Sequence, residues 1–338
     1  MRNRTSSALA FSLCEDGMVG FNFLRKSAFQ GSGELLSFLS RDQSWRVPLA
    51  DEITLTESCI ELGALVSEDS DEAEIEDEFS TKWAWGLPAA LYHFSVQGNP
   101  SLTLEEGEKR QVAMAESCGL PELFLKHDRK SPRISLADSS GNSALMSSMA
   151  RRRSNREAAD QSIPLQNIAD IIYSGMGITG FTKNSVVELP LSMTPSGGAR
   201  NPYEAFVIAR KVDGLDPGVY HYSAFEHSLK RIGEAKHELS DYVGSQDWAD
   251  SMSCVIVLAA YFERTMWKYD DPNAYRVVLI EAGHIGQNML LTATELGMAA
   301  CPTAALDHEL LYENLKLPSR ITCAPIYAIA VGAAAKGP

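Results

Sequence analysis

Apolar and polar positions alternate most legibly in the second half of the chain. Behind Ser162-Ile163-Pro164, the residues Leu165, Ile168, Ile171, Ile172 and Met176 recur at helical spacing, which predicts a helix there. Tyr203 to Arg210 reads as a strand, Asp213-Gly214-Leu215-Asp216-Pro217-Gly218 as a hairpin-like turn, and Val219 to Ser223 as its partner. Ser253 to Tyr261 is apolar throughout and predicts a central strand. Tyr275 to Leu296 predicts a long helix stopped by Gly297. Then follow an extended Met298 to Ala305, a short helix capped by Asp307, and a last buried strand from Ala324 to Gly332. This order gives an α+β class.

The first half is less regular. Phe21 to Leu24 predicts a strand, and Gly33 to Ser40 and Glu57 to Leu65 short helices, an order like that of a small winged-helix module over residues 1–95. Glu68 to Glu78 holds eight carboxylates and no base, and reads as a solvated loop or, less simply, as a docking site for a basic partner. Trp83, Trp85 and Leu91-Tyr92-His93-Phe94 form an aromatic group expected to anchor this segment on another surface. Residues 96–145, with Ser131-Pro132 and Ser139-Ser140-Gly141-Asn142-Ser143, read as a linker and variable segment, and 146–338 as the main domain.

With 338 residues the chain is long enough for two domains. Its net charge of −14 excludes a basic nucleic-acid surface. The six cysteines and seven histidines are dispersed without metal-ligand spacing, so no metal site is expected, and scattered thiols suit a cytoplasmic protein. The long apolar helix carries Glu281, His284, Asn288 and Glu295, which does not suit a membrane span.

Against that acidic background, Arg151-Arg152-Arg153-Ser154-Asn155-Arg156 stands out. Guanidinium groups with a serine hydroxyl suit a phosphate dianion, although a solvated linker end has the same composition. Thr194-Pro195-Ser196-Gly197-Gly198-Ala199-Arg200-Asn201-Pro202 places paired glycines before a strand, where backbone can approach a flat ligand; an ordinary Gly/Pro loop reads alike. Lys268-Tyr269 can relay a proton if the two side chains share a site, and is plain surface if they do not. Glu281, His284 and Asn288 share one helix face, beside a strip holding Gly283 and Gln287. There is no G-x-G-x-x-G between a strand and a helix, no P-loop motif and no G-x-S-x-G elbow.

Taken in order, these segments resemble the nitroreductase superfamily, and its SagB-type dehydrogenase branch best. The resemblance is carried by Arg152 to Arg156, Gly175-Met176-Gly177-Ile178-Thr179-Gly180, Pro195 to Pro202 and Pro217-Gly218-Val219-Tyr220-His221-Tyr222. It continues through Tyr275-Arg276, Glu281-Ala282-Gly283-His284-Ile285-Gly286-Gln287-Asn288 and Cys301-Pro302. It implies a nitroreductase-like FMN-binding fold, a central mostly antiparallel sheet flanked by helices, working as a homodimer. It further implies that Arg152, Arg153, Ser154 and Arg156 hold the FMN phosphate and ribityl chain. Pro195, Ser196, Gly197 and Gly198 would lie against the flavin ring with Asn201 close by; Gln287 would line the pocket, and Ala304 or Ala305 would offer an N–H to flavin N5. Lys268 and Tyr269 match the pair that azoline dehydrogenases use for proton removal. The chain departs from the pattern at Leu191-Ser192-Met193, where many relatives carry an arginine, and at Ala304-Ala305, where glycine is common.

The activity so implied is oxidation of a thiazoline or oxazoline to the azole, by proton removal and hydride transfer to the flavin, with dioxygen as terminal oxidant. The substrate would be borne on a peptide or carrier protein, with a cyclodehydratase as a further partner. Two other readings stay open: an NAD(P)H-dependent reductase of nitro groups, quinones or enones, and a non-catalytic scaffold of a biosynthetic complex.

Overall fold

The computed structural model describes residues 1–15, 17–41, 44–98, 102–119, 134, 136, 141 and 143–335. Its centre is an antiparallel sheet in which the strands Ser228–Gly233, Gly218–Ser223, Tyr203–Ala209, Cys254–Tyr261, Cys323–Ala334 and Met298–Thr303 lie side by side in that order. The short strand Ala158–Ala159 adds to the end of Cys323–Ala334.

The apolar runs of Tyr203–Ala209 and Cys254–Tyr261 are needed because both faces of these strands are covered. Ala205, Val207, Ile256 and Leu258 face one core with Ile168, Ile171, Val278 and Met289, from the helices Leu165–Met176 and Asn273–Glu295. Their neighbours Phe206, Ile208, Val255 and Val257 face the other, with Leu239, Tyr242, Leu311 and Leu315. Period-two alternation thus divides one sheet between two helical layers. The helix His308–Leu315 starts where Asp307 accepts the N–H of Leu310 at 2.9 Å.

In the N-terminal part, three antiparallel strands, Leu9–Cys14, Gly17–Asn22 and Ser27–Gly31, are followed by the helices Gly33–Ser40 and Ile53–Glu61. The second helix stops short of the expected end. Gly63 turns the chain at φ +75°, and Leu65–Ser67 becomes a strand paired with Asn3–Thr5.

The acidic run is a helix, Asp71–Lys82, and not a solvated loop. The cause is local: Ser70 caps it by accepting the Ala73 N–H, and Asp71, Glu72 and Glu74 sit in the first turn, where the helix dipole favours anions. Glu76 is buried on its inner side, paired with Arg4 at 2.5 Å and bonded to Ser6.

The aromatic group does anchor the N-terminal part. Trp83, Trp85, His93 and Phe94 share one buried cluster with Phe262 and Tyr275. His93 is enclosed there, its Nδ1 at 2.9 Å from the Tyr275 hydroxyl, and burial pushes its pKa down to about 3, so the ring is neutral. Within the stretch expected as linker, Leu104–Cys118 is a helix, closed at its start by a capping box between Thr103 and Glu106. Ser131-Pro132, Ser139-Ser140 and Asn142 lie outside the described residues.

Candidate functional site

The glycine loop is fixed by the long helix. Gly197 N–H donates to Glu281 Oε1 at 2.7 Å, and Asn288 Nδ2 donates to Thr194 Oγ1 at 3.2 Å and to the Ser174 carbonyl at 3.1 Å. Glu281 and Asn288 are two turns apart on one face, so that face holds the loop at its start and at Gly197. His284, on the same face, is exposed. Gly198 has φ +65°, a conformation that favours glycine. Asn201 turns inward: its Nδ2 donates to the carbonyls of Pro190 at 2.9 Å and Ala199 at 3.2 Å, and its Oδ1 lies 3.0 Å from Ser192 Oγ.

Lys268 and Tyr269 reach this loop from the far side. They leave the short helix Glu263–Met266, with both N–H groups on the Thr265 carbonyl. Lys268 Nζ lies 5.1 Å from the Tyr269 ring centroid. A Cβ added to Gly198 would stand 2.6 Å from the Tyr269 hydroxyl and 2.7 Å from Lys268 Nζ. The structure therefore brings together two motifs about seventy residues apart in sequence, each of which has a bland reading on its own.

Beneath the loop is a cavity of about 500 Å³, with Met176, Leu189, Pro190 and Ile285 as apolar wall. Pro195, Ser196 and Asn201 also line it. Sequence reasoning missed its polar end. Glu204 accepts from His221 Nε2 at 2.9 Å and from Arg264. Burial alone would raise the Glu204 pKa, but the His221 bond and the Arg264 charge outweigh it and hold the carboxyl below its usual range. Glu281 goes the other way: burial raises its pKa, only partly offset by the bonds from Gly197 and Ser196. One cavity thus holds two carboxyl groups whose surroundings shift their pKa values in opposite directions. The one signal was a carboxylate inside the apolar strand Tyr203–Ala209. A larger open groove of about 1020 Å³, lined by Glu78, Asp241, Glu313 and Arg320, contains none of the sequence-predicted site residues.

The arginine cluster lies elsewhere on the long helix. The helix Ala144–Arg151 ends with Arg151 paired to Glu295 at 2.6 Å, and Asn155 N–H donates to the Ala300 carbonyl at 2.9 Å. Glu295 is fourteen residues beyond Glu281, or about 21 Å along the axis. Arg153 Nη1 donates to the carbonyls of Ala150 and Arg152, and the Arg156 guanidinium stands 5.8 Å from the Trp248 ring centroid. Arg153, Ser154 and Arg156 are exposed and Arg152 is half-buried. Among the described residues, Arg152, Arg153 and Arg156 have no carboxylate within ion-pair distance. Such a donor set fits a phosphate dianion. Gln287 and Ala304 are exposed, whereas the Ala305 N–H donates to Thr303 Oγ1 at 3.1 Å. Among the described residues, no helix is long and apolar enough to cross a membrane, and no three His, Cys, Asp or Glu side chains could share a metal ion.

A model of the nitroreductase family matches residues 149–333. A putative nitroreductase of Methanocaldococcus jannaschii is 33% identical over 171 residues, which is 50% of this chain and 82% of that protein. The trifolitoxin-processing protein TfxB of Rhizobium leguminosarum bv. trifolii is 32% identical over 129 residues, 36% of this chain and only 35% of that protein. Among solved structures, a chain of the Escherichia coli microcin synthetase McbBCD complex with truncated pro-MccB17 bound has the same fold. It aligns with a TM-score of 0.54 at 19% identity, covering 80% of this chain and 99% of that one.

Proposed function

The chain belongs to the nitroreductase family of oxidoreductases, and from that premise we propose that it is an FMN-dependent dehydrogenase converting a thiazoline or oxazoline, borne on a peptide or carrier protein, to the azole. The observation that carries this reading is the convergence of Lys268 and Tyr269 on Gly198. A lysine and a tyrosine held against a glycine shelf suit removal of a ring proton beside a bound flat cofactor. When bound, FMN would supply the two-electron acceptor, with dioxygen as terminal oxidant.

The rest falls to the chain's own residues. Tyr269, as the phenolate favoured by the neighbouring Lys268 ammonium, would take the proton from the ring carbon α to the carbonyl and become a neutral phenol. Arg152, Arg153, Ser154 and Arg156 hold the cofactor phosphate. Pro195 to Gly198 would lie against the ring with Asn201 keeping that loop in shape, and Gln287, Ala304 and Ala305 would line the flavin site. Arg151 and Gly197 meet the long helix some four turns apart, a separation that supports a site taking its phosphate end and its shelf from two copies, as a homodimer would supply them. The trifolitoxin-processing relative, and the fold shared with a chain of a microcin synthetase complex with truncated pro-MccB17 bound, support a peptide substrate presented in a complex; the cyclodehydratase partner and the cytoplasmic setting belong to the proposal alone.

The test is spectroscopic and then chemical. Purified protein should carry one FMN per subunit and should remove two hydrogens from a synthetic thiazoline peptide, read by mass. Protein that stays colourless after soaking in excess FMN overturns the reading. The relative named a putative nitroreductase favours a second reading, an NAD(P)H-dependent reductase. Rapid bleaching of bound flavin by NAD(P)H would select it.

A further inference from the structure

Tyr269 is held from behind by a residue 184 positions earlier: the Trp85 indole N–H donates to the Tyr269 carbonyl at 2.8 Å. One residue before, Ala84 N–H meets Met266 Sδ at 3.4 Å, so the link between the helices Asp71–Lys82 and Gly86–Ser95 touches both ends of the step that carries Lys268 and Tyr269. Trp85 itself has no room to move. It is fully buried, with the rings of Trp83, Phe262 and Tyr275 at 5.5 to 5.6 Å between centroids. The bend that aims it is also fixed, since Gly86 sits at φ +69° and its carbonyl accepts Trp83 Nε1–H at 2.9 Å.

The step it holds is otherwise exposed. Trp267, Lys268, Tyr269, Asp270 and Asp271 all face solvent. On its own domain's side the Thr265 carbonyl accepts the N–H groups of Lys268 and Tyr269. On the other side is Trp85. A third contact joins the step to the glycine loop itself, the Arg200 guanidinium 4.8 Å from the Trp267 ring centroid, and the Tyr269 hydroxyl and Lys268 Nζ stand over Gly198.

We propose that Trp85 is a positioning residue: its indole N–H holds Tyr269 against the glycine loop, which makes the N-terminal segment part of the working site. The catalytic consequence rests on the reading above, that Lys268 and Tyr269 handle the proton; the placement itself does not. A carbonyl deprived of its buried donor seeks water, and the loop shifts to let it. Misplacement by about 1 Å costs up to about a hundredfold in rate.

The experiment uses the full chain saturated with FMN and carrying 3-fluorotyrosine at position 269, read by fluorine NMR. Trp85 is replaced by Phe, and separately by benzothienylalanine, which keeps the fused-ring shape and lacks the N–H. In both variants the fluorine resonance should move or broaden while FMN stoichiometry is kept. Turnover of a synthetic thiazoline peptide should fall about tenfold or more in kcat with KM within about twofold. If W85F does not fold, the benzothienyl variant carries the measurement. An unmoved resonance in that variant overturns the positioning role. If the resonance moves but Y269F turns over as fast as the parent, Trp85 still positions the loop and the proton-handling reading falls.

Discussion

Gly198 and Tyr269 stand so close that a methyl group on the glycine would lie 2.6 Å from the tyrosine hydroxyl. Nothing links them in sequence. The glycine follows Gly197, whose N–H is bonded to Glu281 of the long helix, and the tyrosine reaches over it from the loop before that helix.

Replacing Gly198 by alanine should therefore act twice. The left-handed backbone at φ +65° costs a non-glycine residue about 1–2 kcal/mol. The new methyl must also push Tyr269 and Lys268 away. Denaturant melts should show that loss of stability, and turnover should drop by more than tenfold while bound FMN persists. A variant as active as the parent would separate the glycine from the pair.

Arginine substitutions should read out as cofactor loss. R152A and R156A each remove a charged donor from a cluster lacking carboxylate partners among the described residues, and FMN affinity should weaken by about 1.5–3 kcal/mol per charge-assisted bond. R151A, already paired with Glu295, should leave FMN affinity within about twofold. Fluorescence titration with FMN checks both; equal losses in all three would reduce the cluster to bulk charge.

The pH dependence of stability should change in E281Q. Burial raises the Glu281 pKa in the folded chain, so folding favours its protonated form. That contribution is fully present below the ordinary carboxylate value of 4.5 and is lost as pH rises through the folded value. Glutamine keeps an acceptor for the Gly197 N–H and has no proton to lose. The variant should gain on the parent as pH goes from 4.5 to 7.5 in matched denaturant melts. Parallel curves would mean that folding does not raise the Glu281 pKa.

The acidic helix should depend on Arg4. Its pair with Glu76 is mostly enclosed, with side chains 11% and 4% exposed, and R4A leaves a buried carboxylate with only Ser6 and Ser7 as partners. Breaking such a pair costs about 3 kcal/mol. Urea melts of R4A should show it, and a change below about 1 kcal/mol would place Glu76 in contact with water.

Much of the catalytic domain was legible in the sequence. Helical spacing from Leu165 to Met176, the apolar run of Ser253 to Tyr261 and the cap at Asp307 each act through neighbours a few residues away, so local pattern is enough. The acidic run folds as a helix against its charge density because the Ser70 cap and the helix dipole outweigh the repulsion. What no local pattern contains is the meeting of Gly198 with Lys268 and Tyr269, the Glu204–His221–Arg264 network, or Trp85 behind Tyr269. Those contacts join residues 17 to 184 positions apart. Their formation depends on how the sheet, the long helix and the N-terminal aromatic cluster pack, and only the tertiary structure decides that.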